Sequence, residues 1–402
     1  HKAKGAARIP NLGPRSSRAA GRVCHVDAAD ARRAMRPPPM RPALRTIRHV
    51  SRLAMAERAP AAHASEYKKR HVCLLFGFVG TGYYGLQSQS ALGDAALPTV
   101  SDALRAALLE CGGIAPTNMA PFTRTKWTLA SRTDKGVHAA RAAVSFRMET
   151  RPADGAAEAG AGGGSGWSLS AAERDALNAA LPPSVRIFGA SRVRKSFNAR
   201  EDASSRTYEY LLPREALGDL SLQEFDSVLG TFEGVHRMHN FASGLRGPAS
   251  RAEHSHDGDA WPLALDPAHR NAKAFRSVFR CAVRKVVRVG GEEYVCVRVA
   301  GASFVLHQIR HMIGAAVAVA RGVVDADVLS IALRSPLLVD AAPLAPACGL
   351  LLDRIEWFNH ARGANEVEFG ADHDAAEAFK EQVIYPHIHE RYEAVGGIGP
   401  WL

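Results

Sequence analysis

Ser131-Arg-Thr-Asp-Lys-Gly-Val-His138, running on into Arg141-Ala-Ala-Val-Ser-Phe-Arg-Met148, is the stretch on which the reading of this chain turns. In its second half Ala142, Val144, Phe146 and Met148 alternate with Arg141, Ala143, Ser145 and Arg147. That period of two predicts a strand with one buried face and one partly basic face. Between Glu110 and Glu149 the only acidic side chain is Asp134, set among Arg124, Lys126, Arg132, Lys135, Arg141 and Arg147. A lone carboxylate in such a field is expected to be ionised, and the field suits a polyanion.

Working outward, His71 to Phe78 reads as a buried strand entering the Gly-rich turn Gly80-Thr-Gly-Tyr-Tyr-Gly85. Val100, Leu104, Ala107, Leu108 and Cys111 fall at helical spacing, with Gly112 as a C-terminal stop. Ser170-Ala-Ala-Glu173 is a capping box opening a helix that stops at Pro182-Pro183. Val185 to Val193 and Arg206 to Leu212 read as strands, the second placing Tyr208, Tyr210 and Leu212 on one face. Arg280 to Val289, Gly290-Gly291 and Glu293 to Ala300 predict a hairpin, and a helix is expected over 303–321, ending at Gly322. Strand pairs and helices without a regular βαβ rhythm favour an α+β architecture, an antiparallel sheet with helices on one side. A Gly/Ala loop at 151–166 and a polar insertion from Gly244 to about Asn271 interrupt it.

The formal net charge is +11, but residues 1–70 alone sum to +13 and the remaining 332 to −2. The high pI therefore reports a basic leader, and a nucleic-acid surface on the rest must come from local clustering. Residues 1–66, with no acid before Asp27, are expected to be a disordered leader resembling an organelle transit peptide. Mitochondrion, plastid and nucleus all stay open as destinations. Six scattered cysteines without a CxxC fit a reduced compartment. No run approaches the roughly 18 apolar residues of a membrane span, so a soluble protein is expected. The division expected is leader 1–66, an N-terminal catalytic lobe 67–200, a C-terminal lobe 201–362 and an extension 363–402.

On the expected helix, Arg310 falls between Leu306, Ile313 and Val317, inside the apolar stripe. It either snorkels to water or finds a carboxylate, and Asp134 is an attractive partner because a bidentate Arg would fix it in place. A carboxylate so held suits a nucleophile or a base, and the residues do not choose between them. Tyr208 and Tyr210 on their strand, and Phe197, Phe241 and Trp127 elsewhere, lie among arginines. That suits base stacking, although core packing is the better reading of any one of them. Several motifs fail. Gly77-Phe-Val-Gly-Thr-Gly82 lacks the Gly-Lys-Ser/Thr ending of a phosphate loop, and His307-Gln-Ile-Arg-His311 has Gln where a zinc-protease helix has its Glu. His254 and His256 read as a solvated loop.

Together these segments resemble the TruA-type tRNA pseudouridine synthase family over about residues 71–395. The resemblance rests on Arg132-Thr-Asp-Lys-Gly-Val137, Gly80 to Gly85 with Gln87, Phe197-Asn-Ala-Arg200, Arg206-Thr-Tyr-Glu-Tyr210, His239-Asn-Phe241, Ser303 to Arg310, Met312-Ile-Gly314, and Ala342-Pro-Leu-Ala-Pro346 with Gly349-Leu350. Lys135, the Tyr208 to Pro213 run and Phe379 to Pro386 are similar to the eukaryotic multisite branch acting around the anticodon stem, whereas His138 departs toward bacterial members. The resemblance implies two α+β lobes with antiparallel sheets joined across a central cleft. It also implies isomerisation of uridine in tRNA, and in other structured RNA, without cofactor or metal. It makes Asp134 the catalytic carboxylate, Tyr208 the residue stacking on the uracil and serving in proton transfer, and Arg310 the partner of Asp134. Arg132 would hold the flipped-out nucleotide's space, Lys135 would face RNA and Leu350 would pack on the base. Monomer and homodimer both remain open. A catalytically idle RNA-binding protein or RNA chaperone is the competing reading, disfavoured by a carboxylate in an anionic ligand's path. A metal-dependent hydrolase using the His pairs is the third.

Overall fold

The computed structural model describes residues 68–88, 97–119, 122–150, 167–243, 274–337, 339, 343–358, 370–397, 399 and 401. The basic leader, the 151–166 loop, the polar insertion with His254 and His256, and Ala342 lie outside the described residues.

The strands are β1 (Lys68–Phe78), β2 (Thr128–Leu129), β3 (His138–Thr150), β4 (Val185–Arg192), β5 (Ala203–Pro213), β6 (Gly234–Arg237), β7 (Phe275–Val289), β8 (Glu292–Gly301) and β9 (Leu350–Trp357). They form one sheet in the order β4-β1-β3-β9-β5-β8-β7-β6, with β2 on β3. The sheet is antiparallel throughout except at its middle, where β3 and β9 run parallel with His138 opposite Leu351 and Ala139 opposite Leu352. Helices α1 (Val100–Glu110), α2 (Ala171–Ala180), α3 (Leu222–Gly230), α4 (Gln308–Ala320), α5 (Ala326–Arg334), α6 (Gly370–Phe379) and α7 (Tyr385–Ala394) complete an α+β architecture, a π-helical turn at Lys380–Ile384 joining the last two.

Local chemistry sets the element ends. Thr99 caps α1 by accepting from the Asp102 N–H, and Gly112 at φ 77° ends it, leaving Cys111 exposed rather than on the buried stripe. Full capping boxes open α2 (Ser170 and Glu173) and α3 (Ser221 and Glu224).

Two sequence expectations change. β3 is buried on both faces as far as Phe146, with α6 packed on it. Arg141 is therefore no part of the cationic field around Asp134: it is 4 % exposed and ion-paired with Asp353 at 3.1 Å and Glu377 at 2.6 Å. The helix expected over 303–321 begins only at Gln308. His307 adopts a left-handed conformation (φ 61°, ψ 7°), and Gln308 folds back so that its side chain accepts from the Val305 N–H at 3.0 Å. Residues 303–307 are a loop, and Leu306, which the helical wheel put in the apolar stripe, is half exposed.

Away from the motif loop lies a buried ionic cluster. The Lys380 ammonium, fully buried, meets Asp353 at 2.6 Å, Glu377 at 2.8 Å and Glu209 at 3.3 Å. Glu209 also accepts from Tyr385 at 2.8 Å and pairs with Arg284 and Arg298. The cluster bolts the C-terminal helices to β3, β5, β7, β8 and β9.

Candidate active site

The loop carrying Asp134 is gripped by the Gly-rich turn after β1. Gly85, at φ 97°, lets Leu86 donate to the Thr133 carbonyl at 3.3 Å; a Cβ at Gly85 would stand 2.8 Å from that oxygen. Gly80 packs so closely that a Cβ would fall 2.0 Å from the Val137 carbonyl, and its N–H donates to Nδ1 of His138 at 3.0 Å. That N–H is thus committed to the fold and not to a phosphate. Nε2 of His138 then donates to the Cys348 carbonyl at 3.0 Å, and burial, helped by His387, pushes this imidazole down to about 3, so it stays neutral. Glycine spacing in one segment thereby fixes the backbone of another.

A cleft of about 390 Å³ opens over this loop, lined by residues of the Asp134 loop, β5, the 303–307 loop and the start of β9. Of the six residues singled out from sequence, Asp134, Arg132, Tyr208 and Leu350 line it. Lys135 does not; it is exposed, with its ammonium 4.1 Å from the centre of the Tyr84 ring. Arg310 does not line the cleft either.

Asp134 is partly buried, and its Oδ2 lies 3.7 Å from Nε2 of His307. Burial pushes its carboxyl above the usual carboxylate range, with His307 and Arg310 pulling the other way. His307 is in turn pushed down, chiefly by burial and against the pull of Asp134, so at neutral pH it is an uncharged imidazole. Its Nδ1 hydrogen-bonds Oγ of Ser243 at 2.9 Å. The direct pairing of Asp134 with Arg310 is not what the geometry provides. Nε of Arg310 donates to the Ala345 carbonyl at 2.6 Å, and the guanidinium acts on Asp134 through its longer-range charge.

Tyr208 is buried on β5, its hydroxyl 2.7 Å from Oγ of Ser131 and its ring edge-on to Phe304 at 5.5 Å. Burial raises its pKa, which keeps it a phenol. Leu350 pairs with Tyr210 in the sheet and presents an apolar wall. Arg132 and Arg200 are exposed at the cleft, where they can meet phosphates. Arg206 is different: it is buried and donates to the carbonyls of Ala130, Arg200, Ala203 and Ala302 at 2.8–3.2 Å, tying three cleft loops together. Phe197 and Phe241 are core residues packed on Trp357 and Phe232, and the partly buried Trp127 packs on Phe146.

Sequence reasoning missed two contributors. His307 was weighed only as half of a metal pair; its signal was the turn-forming Gln308 beside a residue type tolerant of left-handed backbone. Arg206 opens one of the motifs that carry the resemblance, but its role carried no signal, because its backbone carbonyl partners are invisible in a sequence.

Sheet, cleft and carboxylate together make an α+β scaffold that presents one carboxylate and two exposed guanidinium groups to a ligand. A family model described as tRNA pseudouridine synthase matches residues 255–357. The chain is 29% identical over 354 residues to the pseudouridylate synthase 1 homolog of Mus musculus, covering 83% of this chain and 73% of that protein. It is 26% identical over 410 residues to tRNA pseudouridine synthase 1 of Candida glabrata, covering 82% and 69%. It is also 26% identical over 356 residues to the tRNA pseudouridine(27/28) synthase of Saccharomyces cerevisiae, covering 70% and 82%. By these matches the chain is similar to tRNA pseudouridine synthases, which are isomerases.

Proposed function

We propose that this protein isomerises uridines in tRNA to pseudouridine, with Asp134 as the catalytic carboxylate acting at C1′ of the target nucleotide. The observation that carries this reading is the Asp134 carboxylate in the wall of a cleft of about 390 Å³ that Tyr208 and Leu350 also line. An aromatic ring and an aliphatic side chain suit contact with a uracil, and the cleft is large enough to take one extruded base. A uridine inside a stem cannot reach a buried carboxylate, so it must be flipped out at a cost of a few kcal/mol. Arg132 and Arg200 at the cleft offset that cost through phosphate contacts, Arg132 filling the vacated space, with exposed Lys135 extending the cationic surface. His307 and the positive charge of Arg310 oppose the rise that burial imposes on the Asp134 carboxyl.

The relatives named tRNA pseudouridine synthase 1 and tRNA pseudouridine(27/28) synthase support uridines of the anticodon stem as targets and the eukaryotic multisite branch as the place of this chain. His138, the departure from that branch, is accounted for by its bonds to Gly80 and Cys348, which position the Asp134 loop. No observation favours the idle RNA-binding reading.

The test is incubation of the native chain and Asp134→Ala with unmodified tRNA transcripts, followed by pseudouridine mapping. Product in the anticodon stem from the native chain alone is expected. Equal product from both chains removes Asp134 from the chemistry, and tRNA binding without product from either, over a wide RNA pool, overturns the reading.

A further inference from the structure

We propose that Ser131 is a positioning residue that holds the hydroxyl of Tyr208 and relays its proton between the buried phenol and solvent in the cleft. The inference deepens the reading that a uridine is isomerised beside Asp134, and it rests on the part in proton transfer that the family resemblance gives Tyr208. Isomerisation replaces the C1′–N1 bond by C1′–C5. To finish, C5 gives up its proton, the C–H electron pair returns to the ring, and N1 gains a proton. No oxidant or co-reactant is needed.

A buried phenol meets a difficulty in that step. Burial raises the pKa of Tyr208, Asp134 adds to the rise, and Ser131 and Arg206 oppose it, so at neutral pH the oxygen still carries its own proton. Such an oxygen can take the C5 proton only if it passes its own on in the same event. Oγ of Ser131 lies 2.7 Å from that oxygen and is its one hydrogen-bond partner among the described residues. A serine hydroxyl both donates and accepts, so it receives the phenol proton while handing its own to solvent. Solvent returns a proton to N1, and the ring's loss and gain balance. Ser131 is placed for both ends of this path, being half-buried and lining the cleft beside exposed Arg132.

The fold fixes the relaying oxygen. Strand β5 reaches this loop twice: Arg206 donates to the Ala130 carbonyl through Nε at 3.2 Å and Nη2 at 2.8 Å, and two residues on Tyr208 meets Ser131. The Ala130 N–H donates to the Ala143 carbonyl at 3.0 Å and the Thr133 carbonyl accepts from Leu86, so the backbone is pinned on both sides of Ser131. Phe304, edge-on at 5.5 Å, steadies the Tyr208 ring. Ser131 stands three residues before Asp134, so one loop sets both the carboxylate and the proton path of the phenol.

Three variants test this. Ser131→Ala removes the relay, Ser131→Cys keeps the size with only a weak hydrogen-bonding group, and Ser131→Thr keeps a hydroxyl. Melting temperature is checked for each, and single-turnover rates are read on tRNA carrying protium or deuterium at uridine C5. Ser131→Ala and Ser131→Cys are expected to lose about 100-fold in rate at unchanged tRNA affinity, the lower end of what acid–base groups contribute. Their C5 isotope effect should exceed that of the native chain, and Ser131→Thr should recover most of the rate. Ser131→Ala or Ser131→Cys within about threefold of the native rate overturns the relay. So does a slowed Ser131→Ala with no added C5 isotope effect, or a Ser131→Thr that melts like the native chain yet is as slow as Ser131→Ala. Tyr208→Phe at the native rate overturns the part given to Tyr208 instead, and a native chain that makes no pseudouridine overturns the underlying reading, which keeps the failures apart.

Discussion

Arg206 carries a full charge beside the cleft with its partners drawn from backbone carbonyls alone. The fork of a guanidinium reaches Ala130, Arg200, Ala203 and Ala302 at once, which a single ammonium cannot do. Arg206→Lys is expected to cost about 2–3 kcal/mol, the scale of one or two charge-assisted hydrogen bonds, read as a lowered denaturation midpoint at unchanged m-value. It should also slow turnover by shifting the Ala130 to Asp134 loop. An unchanged midpoint would show that water replaces the lost donors without penalty. Exposed Arg132 and Arg200 act differently. Removing each is expected to lower the slope of log K for tRNA against log salt by about 1, leaving thermal stability unchanged. A slope equal to that of the native chain would place both outside the phosphate contacts.

At the scale of elements, α4 decides how the cleft is walled. Gly314 faces the 343–345 segment so closely that a Cβ would fall 1.9 Å from the Pro343 carbonyl, and the same approach joins the Arg310 carbonyl to the Ala345 N–H at 3.2 Å. Gly314→Ala gains helix propensity yet is expected to destabilise by about 1–3 kcal/mol, because α4 must back away from its neighbour. Thermal unfolding measures it, and an equal or higher midpoint would mean that the segment yields freely. This element also shows where sequence reading stops. Its C-terminal end and Arg310 within it were legible from periodicity and Gly322, but its start was not. Ser303 to His307 continue the apolar pattern, and the left-handed backbone of His307 with the Gln308 side chain reaching back to Val305 keeps the helix from starting there. β3 was legible as a strand but misread as amphipathic, since its second face is covered by a segment more than 200 residues later. Asp134, Tyr208 and Leu350 were legible because their motifs are local. The partner of Asp134 was not, because geometry rather than charge put His307 ahead of Arg310.

Across the whole sheet, stability depends on the Lys380 cluster. Lys380→Met leaves Glu209 and Asp353 buried without their shared cation, and a loss of about 3–5 kcal/mol is expected in equilibrium unfolding. A loss under about 1 kcal/mol would mean that Arg141, Arg284 and Arg298 suffice. The cluster also sets an acid limit. Burial alone would raise the Glu377 carboxyl, but Lys380 and Arg141 outweigh it and hold it down to about 2, against 4.5 when free. Its contribution is therefore present above about pH 4.5 and is lost as pH falls toward 2, which a pH series of melting temperatures would detect as a decline confined to that window. A decline absent from Glu377→Gln would assign it to this residue. Finally, the parallel seam between β3 and β9 orders events in time. The strand that joins the β4-β1-β3 half of the sheet to the β5-β8-β7-β6 half is the last among the described residues. During synthesis each half can form its own strand pairs early, but they stay unjoined, with β3 and β5 edges open, until residue 357 has left the ribosome. A truncated product ending before Leu350 would lack not one wall of the cleft but the cleft itself.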